Sequence, residues 1–345
     1  VSNIKITGLV VALAILAGAA FLITKDDSQS QDNSASKPLE EVTLALDFTP
    51  NTNHSGLYVA ENKGYYTQEG INLKLLPYSA SASTDSLVSA GKADVGIGFT
   101  EGVVAGAASD SPVVSIAAVI GSNTSSIVTR AEDNVTSLSQ LDDKIYGGYG
   151  ADYEKAVMAQ AIKHDGGQGN FKSVSVATAP IEALKAKKVD FVWIFDGWEK
   201  IVAERDGLAI DSFPVIKRGI PDYYTPNIIS SPETINAKPD LLKRFMRATA
   251  RGYEFARKNP DESARILIAG TPPGTFPDEG LVYASQEFLS PKYQDPGKPW
   301  GLQKKAFWRN YPQFMLDKNT VLNTAGQPVD SLDFEALYTN RFLPQ

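Results

Sequence analysis

Cysteine is absent from the 345 residues of the sequence, which excludes disulfides, thiolate metal sites and cysteine nucleophiles. That absence does not fix a compartment, because proteins on either side of a membrane can do without disulfides. Histidine is scarce as well, with only His54 and His164. No H-E-x-x-H, G-x-S-x-G or Walker loop occurs, so the common metalloprotease, hydrolase and nucleotidase arrangements are excluded. Gly96-Ile97-Gly98 follows an apolar run, but Glu101 stands where a dinucleotide fingerprint needs its third glycine, and its charge would repel a pyrophosphate. There is also no basic stripe. The net charge is −7 with both signs interspersed, so nucleic acid is not an expected partner.

One long apolar run is present. Residues 6–23 carry no charge over 18 positions, between Lys5 and Lys25-Asp26-Asp27, which is just enough to span a bilayer. Residues 1–24 are therefore expected as a signal or membrane-anchor helix. Ala17-Gly18-Ala19 offers a small-residue cleavage site, while a lipoprotein reading lacks its cysteine at Ala19. Either an uncleaved anchor or a cleaved signal would place the body outside the cytoplasm, anchored at the membrane face or free in the periplasm. Residues 25–41 are rich in Ser, Asp and Gln, have little to bury, and read as a flexible tether.

From residue 42 onward short apolar runs alternate with helical patterns, which predicts an α/β architecture with mostly parallel strands. With 43% hydrophobic residues, the length suits two packed domains. Five strand-to-helix junctions stand out: 48–54, 77–84, 99–101, 149–152 and 195–198. In open α/β sheets such junctions sit at the carboxyl ends of strands and line a ligand crevice. Residues 116–130 and 223–231 look extended and read as two crossovers. They predict one lobe of residues 42–128 and 232–345 and another of residues 129–231. After Pro232 the chain is helix-dominated, with amphipathic stretches at 240–258, 260–268 and 303–316.

Several motifs sit at these junctions. Leu46-Asp47-Phe48-Thr49-Pro50-Asn51-Thr52-Asn53-His54-Ser55-Gly56-Leu57-Tyr58-Val59-Ala60 is followed by Lys63-Gly64-Tyr65-Tyr66 and Glu69-Gly70-Ile71. Later come Lys163-His164-Asp165-Gly166-Gly167, Trp193-Ile194-Phe195-Asp196-Gly197-Trp198 and Asp222-Tyr223-Tyr224-Thr225-Pro226. Over residues 42–311 the chain resembles the thiamine-pyrimidine family of substrate-binding proteins. That resemblance implies a hinged, two-lobed type II periplasmic-binding-protein fold. It also implies capture of formylaminopyrimidine or hydroxymethylpyrimidine, and delivery to an ABC permease as partner, without a cofactor and as a monomer. The family also holds a pyrimidine synthase that consumes its own histidine with iron and a cysteine-rich motif. Here that histidine's place falls near Gly102, and the cysteines have no counterpart.

A planar, electron-poor ring would stack on aromatic faces, for which Phe48, Tyr149, Trp198 and Tyr224 are candidates. Its amine and ring nitrogen want a carboxylate acceptor, with Asp196 first and Asp47 second. Asn51, Asn53, His54 and Thr100 would satisfy the remaining polar atoms. Each has a structural alternative. Asp196 and His54 can cap helices, Phe48 can be a core strand residue, Trp198 and Tyr224 can pack at a hinge, and Asn51 and Asn53 can simply form the turn. Glu101 is expected to cap its helix. Competing functions are a binding protein for another heteroaromatic such as riboflavin, the synthase of the same family, and a membrane-tethered sensor, for which only residues 1–5 would remain on the cytoplasmic side.

Overall fold

The computed structural model describes residues 38–79, 81–176 and 179–344. The expected anchor helix and residues 25–37 of the expected tether lie outside them. Among the described residues no helix is long and apolar enough to cross a membrane.

Ten strands run in chain order as β1 (Glu40–Ala45), β2 (Ile71–Leu76), β3 (Val95–Gly98), β4 (Val114–Ala118), β5 (Ser125–Arg130), β6 (Ile145–Gly148), β7 (Lys172–Ser175), β8 (Phe191–Phe195), β9 (Ile210–Pro214) and β10 (Asn227–Ser230). They form two five-stranded sheets, ordered β2-β1-β3-β10-β4 and β7-β6-β8-β5-β9. β1 lies parallel to β2 and β3, and β6 lies parallel to β7 and β8. Each sheet also takes in one antiparallel strand. β10 enters between β3 and β4, and β5 enters between β8 and β9.

These insertions correct the expected lobe boundaries. All of β5 belongs to the second sheet, although residues 125–128 were assigned to the first lobe. β10 belongs to the first sheet, although residues 223–231 were read as the end of the second lobe. Both expected crossovers therefore contain a core strand, and the true connections are shorter, near residues 119–124 and 222–226. The expectation of mostly parallel strands holds only away from these two. Glu40 and Glu41 also belong to β1 rather than to the tether.

Each sheet is covered on both faces. In the first lobe Val42, Leu44, Val95, Ile97, Ile116 and Ile228 pack against Leu57, Phe245 and Tyr253 from helices Ser55–Asn62 and Pro239–Lys258. The latter buries Leu241, Phe245, Ala248, Thr249, Gly252 and Ala256, an i, i+3/i+4 stripe expected of an amphipathic helix. The two helices touch backbone to backbone, because Gly56 lies under the Tyr253 ring and a β-carbon on Gly252 would overlap the Gly56 carbonyl. In the second lobe alternation divides β8. Phe191 and Trp193 face Val157, Met158 and Ala161 of helix Asp152–His164. Val192 and Ile194 face Ile181, Leu184 and Ala203.

The two connections are tied to each other by Asp222. Its carboxylate accepts from the Ser122 hydroxyl at 2.6 Å and from the amides of Asn123 and Tyr223 at 2.9 Å. Asn123 in turn accepts from the amide and hydroxyl of Ser125, and that hydroxyl accepts from the Trp193 indole at 2.7 Å. The hinge therefore has its own hydrogen-bond network anchored in the second sheet.

Candidate functional site

Two contiguous chambers of about 310 and 190 Å³ lie between the lobes, sharing Asp47, Phe99, Tyr149, Phe195 and Thr225. The larger is walled by Phe48, Asn51, Asn53, Ile181, Trp198 and Glu199, among others. The smaller adds Glu101, Tyr153, Glu154, Trp193 and Tyr223. Four of the five expected junctions contribute. The junction after β2 does not reach the cavity, although its Tyr78 packs on Phe48 at 5.4 Å between ring centres.

The first junction is built around His54. Asn51 caps the short turn Thr52–His54, its side chain accepting from the Asn53 amide at 2.9 Å. The His54 Nδ1 accepts from the Asn51 amide at 3.2 Å, which leaves the proton on Nε2 for donation to Asp47 Oδ1 at 2.8 Å. His54 is fully buried, so it holds Asp47 in the cavity wall from behind and does not itself face the cavity.

Six of the ten expected site residues line the larger chamber: Asp47, Phe48, Asn51, Asn53, Tyr149 and Trp198. The other four stand outside both walls, each for a local reason. His54 is the support just described. Thr100 donates from its amide and its hydroxyl to the Tyr224 carbonyl, locking the second connection to the first lobe. The Tyr224 ring packs on Phe307 at 4.9 Å, and its hydroxyl accepts from the Lys304 amide at 2.7 Å. Asp196 points towards the start of β5, where it accepts from the Ser126 hydroxyl at 3.1 Å. Burial raises its pKa above the ordinary carboxylate value, only partly offset by Ser126 and by Lys200 and Lys292.

In three of these cases the neighbouring residue takes the place in the wall: Glu101 for Thr100, Phe195 for Asp196, and Tyr223 for Tyr224. The expectation that Glu101 merely caps its helix is therefore corrected. Glu101 is buried, accepts from the Tyr311 hydroxyl at 2.7 Å, and is also held by the Tyr223 phenol. Tyr223 and Tyr311 are stacked face to face at 3.7 Å. Burial raises the Glu101 pKa to about 7 even though those donors favour its charged form. Glu199, missed in the sequence, is likewise raised to about 7 by burial, with the amides of Phe195 and Glu199 itself acting in the opposite direction. Asp85, just behind the wall, is raised to about 6 by burial and by the nearby Asp47.

The charge of the cavity is one-sided. Asp47, Glu101, Glu154, Glu182 and Glu199 all contribute to its walls, and among the described lining residues there is no lysine, arginine or histidine. Glu154 is engaged structurally, accepting from the Tyr146 hydroxyl and from the Tyr149 and Ala151 amides. Such a cavity provides aromatic faces and acceptors for a flat, donor-bearing molecule, and offers a phosphate or sulfonate no compensating cation.

Residues 51–263 match the family described as NMT1/THI5 like. A formylaminopyrimidine-binding protein of Halalkalibacterium halodurans is 25% identical over 311 residues, covering 89% of this chain and 91% of that protein. A 4-amino-5-hydroxymethyl-2-methylpyrimidine phosphate synthase of Legionella pneumophila is 24% identical over 318 residues, covering 88% and 92%. The alkanesulfonate-binding protein SsuA of Xanthomonas axonopodis pv. citri, solved with MOPS, superposes with a TM-score of 0.63 at 13% identity, covering 87% of this chain and 99% of that one. The last shows a shared periplasmic-binding-protein fold, and the first two show that relatives include both binding proteins and pyrimidine synthases.

Proposed function

Because the chain belongs to the NMT1/THI5-like family, we propose that it is the extracytoplasmic substrate-binding component of an ABC importer, capturing a thiamine pyrimidine precursor without transforming it. The ligand is formylaminopyrimidine or hydroxymethylpyrimidine, and the partner that receives it is a membrane permease. The observation that carries this reading is the aromatic, acid-lined and base-free cavity between two hinged lobes. Phe48, Tyr149 and Trp198 supply faces for the ring, and Asp47, fixed by His54, supplies an acceptor for its amine.

Capture follows from geometry. The ring docks on one lobe, the other closes over it through the short connections at 119–124 and 222–226, and differential affinity for the closed form drives the shift. Base-like stacking contributes ~1–3 kcal/mol per aromatic face. Two faces and one charge-assisted pair together contribute about 4–9 kcal/mol, whose upper end reaches the roughly −8 kcal/mol of a micromolar site.

The synthase reading fits the residues less well. The place at which the resemblance puts the consumed histidine falls near Gly102, where a β-carbon would overlap the Asp85 carboxylate. With no cysteine in the chain, neither the histidine nor the cysteine motif that accompanies iron has side chains here to form it. Titration calorimetry with the two pyrimidines, a flavin and an alkanesulfonate tests the proposal. Heat with a pyrimidine and none with the sulfonate is expected, and silence with every pyrimidine sinks the ligand assignment. Iron-dependent product formation would instead establish an enzyme.

A further inference from the structure

Beyond the ring-binding walls, the smaller chamber has a chemistry of its own. It is bounded by Glu101, Tyr153, Glu154, Trp193 and Tyr223, and Glu101 is its one carboxylate that is buried but not spent on backbone amides of a neighbouring turn, as Glu154 is. Two phenols from different parts of the chain, Tyr311 and Tyr223, hold the Glu101 carboxylate in place. Each carboxylate oxygen accepts more than one donor, so that fixing leaves acceptor capacity for a ligand. The chamber adjoins the ring-binding one through Asp47, Phe99, Tyr149, Phe195 and Thr225, so a substituent on a ring in the first enters the second.

We infer that Glu101 is a specificity-determining residue that reads a cationic arm on the ligand, so that an aminopyrimidine bearing a primary aminomethyl group is preferred over its hydroxymethyl analogue. This rests on the pyrimidine reading above but departs from the two neutral arms named there, adding a charged aminomethyl arm as the one that Glu101 favours. An ammonium donates to an ionised carboxylate through a charge-assisted bond, whereas a hydroxyl makes a neutral donor's weaker one. Among the described residues no basic side chain lines either chamber to compete for Glu101. The groups facing it are all neutral phenols or acids: Tyr311 from helix Lys305–Asp317, Tyr223 from the second connection, Tyr153 and Glu154 from helix Asp152–His164, and Asp85 and Asp47 beyond them. Burial raises the Glu101 pKa to about 7, so the carboxylate is available to an ammonium mainly at and above neutral pH, where a primary amine is still protonated.

The test is competition calorimetry with the aminomethyl and hydroxymethyl pyrimidines on wild type, Glu101→Gln and Tyr311→Phe, at pH 6 and pH 8. The expected result is a preference for the aminomethyl compound of about tenfold or more at pH 8. That preference shrinks at pH 6 and collapses towards one in Glu101→Gln. Tyr311→Phe, which removes one donor to the carboxylate, keeps the preference but moves its midpoint to higher pH. Thermal melting of both variants confirms that they fold. Equal affinity for the two arms in wild type, or a ratio unchanged by Glu101→Gln, overturns this inference and leaves the pyrimidine reading standing. Absence of binding by both compounds overturns this inference, and if formylaminopyrimidine, run alongside, is also silent, the pyrimidine reading falls with it.

Discussion

Trp198 is half-buried, with its ring open to the larger chamber and its back against Phe276 at 6.3 Å. Trp198→Ala is expected to weaken pyrimidine binding by ~1–3 kcal/mol, or roughly 5- to 150-fold, since it removes one stacking face; the calorimetric dissociation constant measures it. Glu101 makes a second prediction at this scale, about stability. Its folded-state pKa, about 7, lies above the ordinary 4.5, so the folded state binds the proton more tightly than the unfolded one. The associated stabilisation is complete below about pH 4.5 and is lost as pH rises through about 7. The ligand-free protein should therefore lose on the order of 2–3 kcal/mol between pH 5 and pH 8 relative to Glu101→Gln, read from denaturant unfolding at the two pH values. Residue chemistry was legible in the sequence to within one position. Asp47, Phe48, Asn51, Asn53, Tyr149 and Trp198 came from turn and junction signals and do line the chamber. Asp196 and Tyr224 each lost their place to an adjacent residue because successive side chains in an extended segment face opposite ways, and Thr100 lost its place to Glu101 because the two open a helix, where successive residues point about 100° apart. Which parity faces the cleft depends on how the strand seats in its sheet. His54 failed differently, since its burial behind Asp47 depends on the three-dimensional turn.

Helix Ser55–Asn62 and helix Pro239–Lys258 meet through two glycines, Gly56 and Gly252, where no side chain separates the backbones. Gly252→Ala would force them apart, and with the surrounding cluster of Leu57, Phe245 and Tyr253 already packed, a loss of ~3 kcal/mol or more is expected. Thermal or urea unfolding checks it, with Ala250→Gly as a control on the same helix. At the element scale the junctions were readable because they combine an apolar run, cap residues and a terminating glycine, as with Ser83 capping Thr84–Ser89. β7 was not, because all of its residues, Lys172–Ser175, are exposed and show no apolar run. β5 and β10 were seen as extended, but the expected boundary cut β5 between residues 128 and 129 and put β10 in the other lobe. Both are uniformly buried, a pattern that says a strand is central without saying in which sheet.

The two lobes are connected by more than covalent chain. Asp222 joins the two connections, and Arg205 of helix Glu199–Arg205 bridges with both carboxylate oxygens of Asp278, which precedes helix Glu279–Leu289. Arg205→Ala, an exposed pair, should change stability by no more than ~1 kcal/mol. Asp222→Ala, which strands the donors of Ser122 and Asn123, should cost ~1–3 kcal/mol and broaden the ligand-free distance distribution in small-angle scattering; an unchanged profile would show that the connections hold their geometry without it. The interleaved sheets also set an order of assembly. As the chain emerges from its N-terminus, β4 has no neighbour in its sheet until β10, the strand between it and β3, is available. By then every strand from β5 to β9 has already emerged, so the second lobe closes while the first is still missing the strand that joins its two parts. The protein is thus built with its first lobe incomplete for longest, and pulse-labelled hydrogen exchange on stalled chains should find β6 and β8 protected before β4.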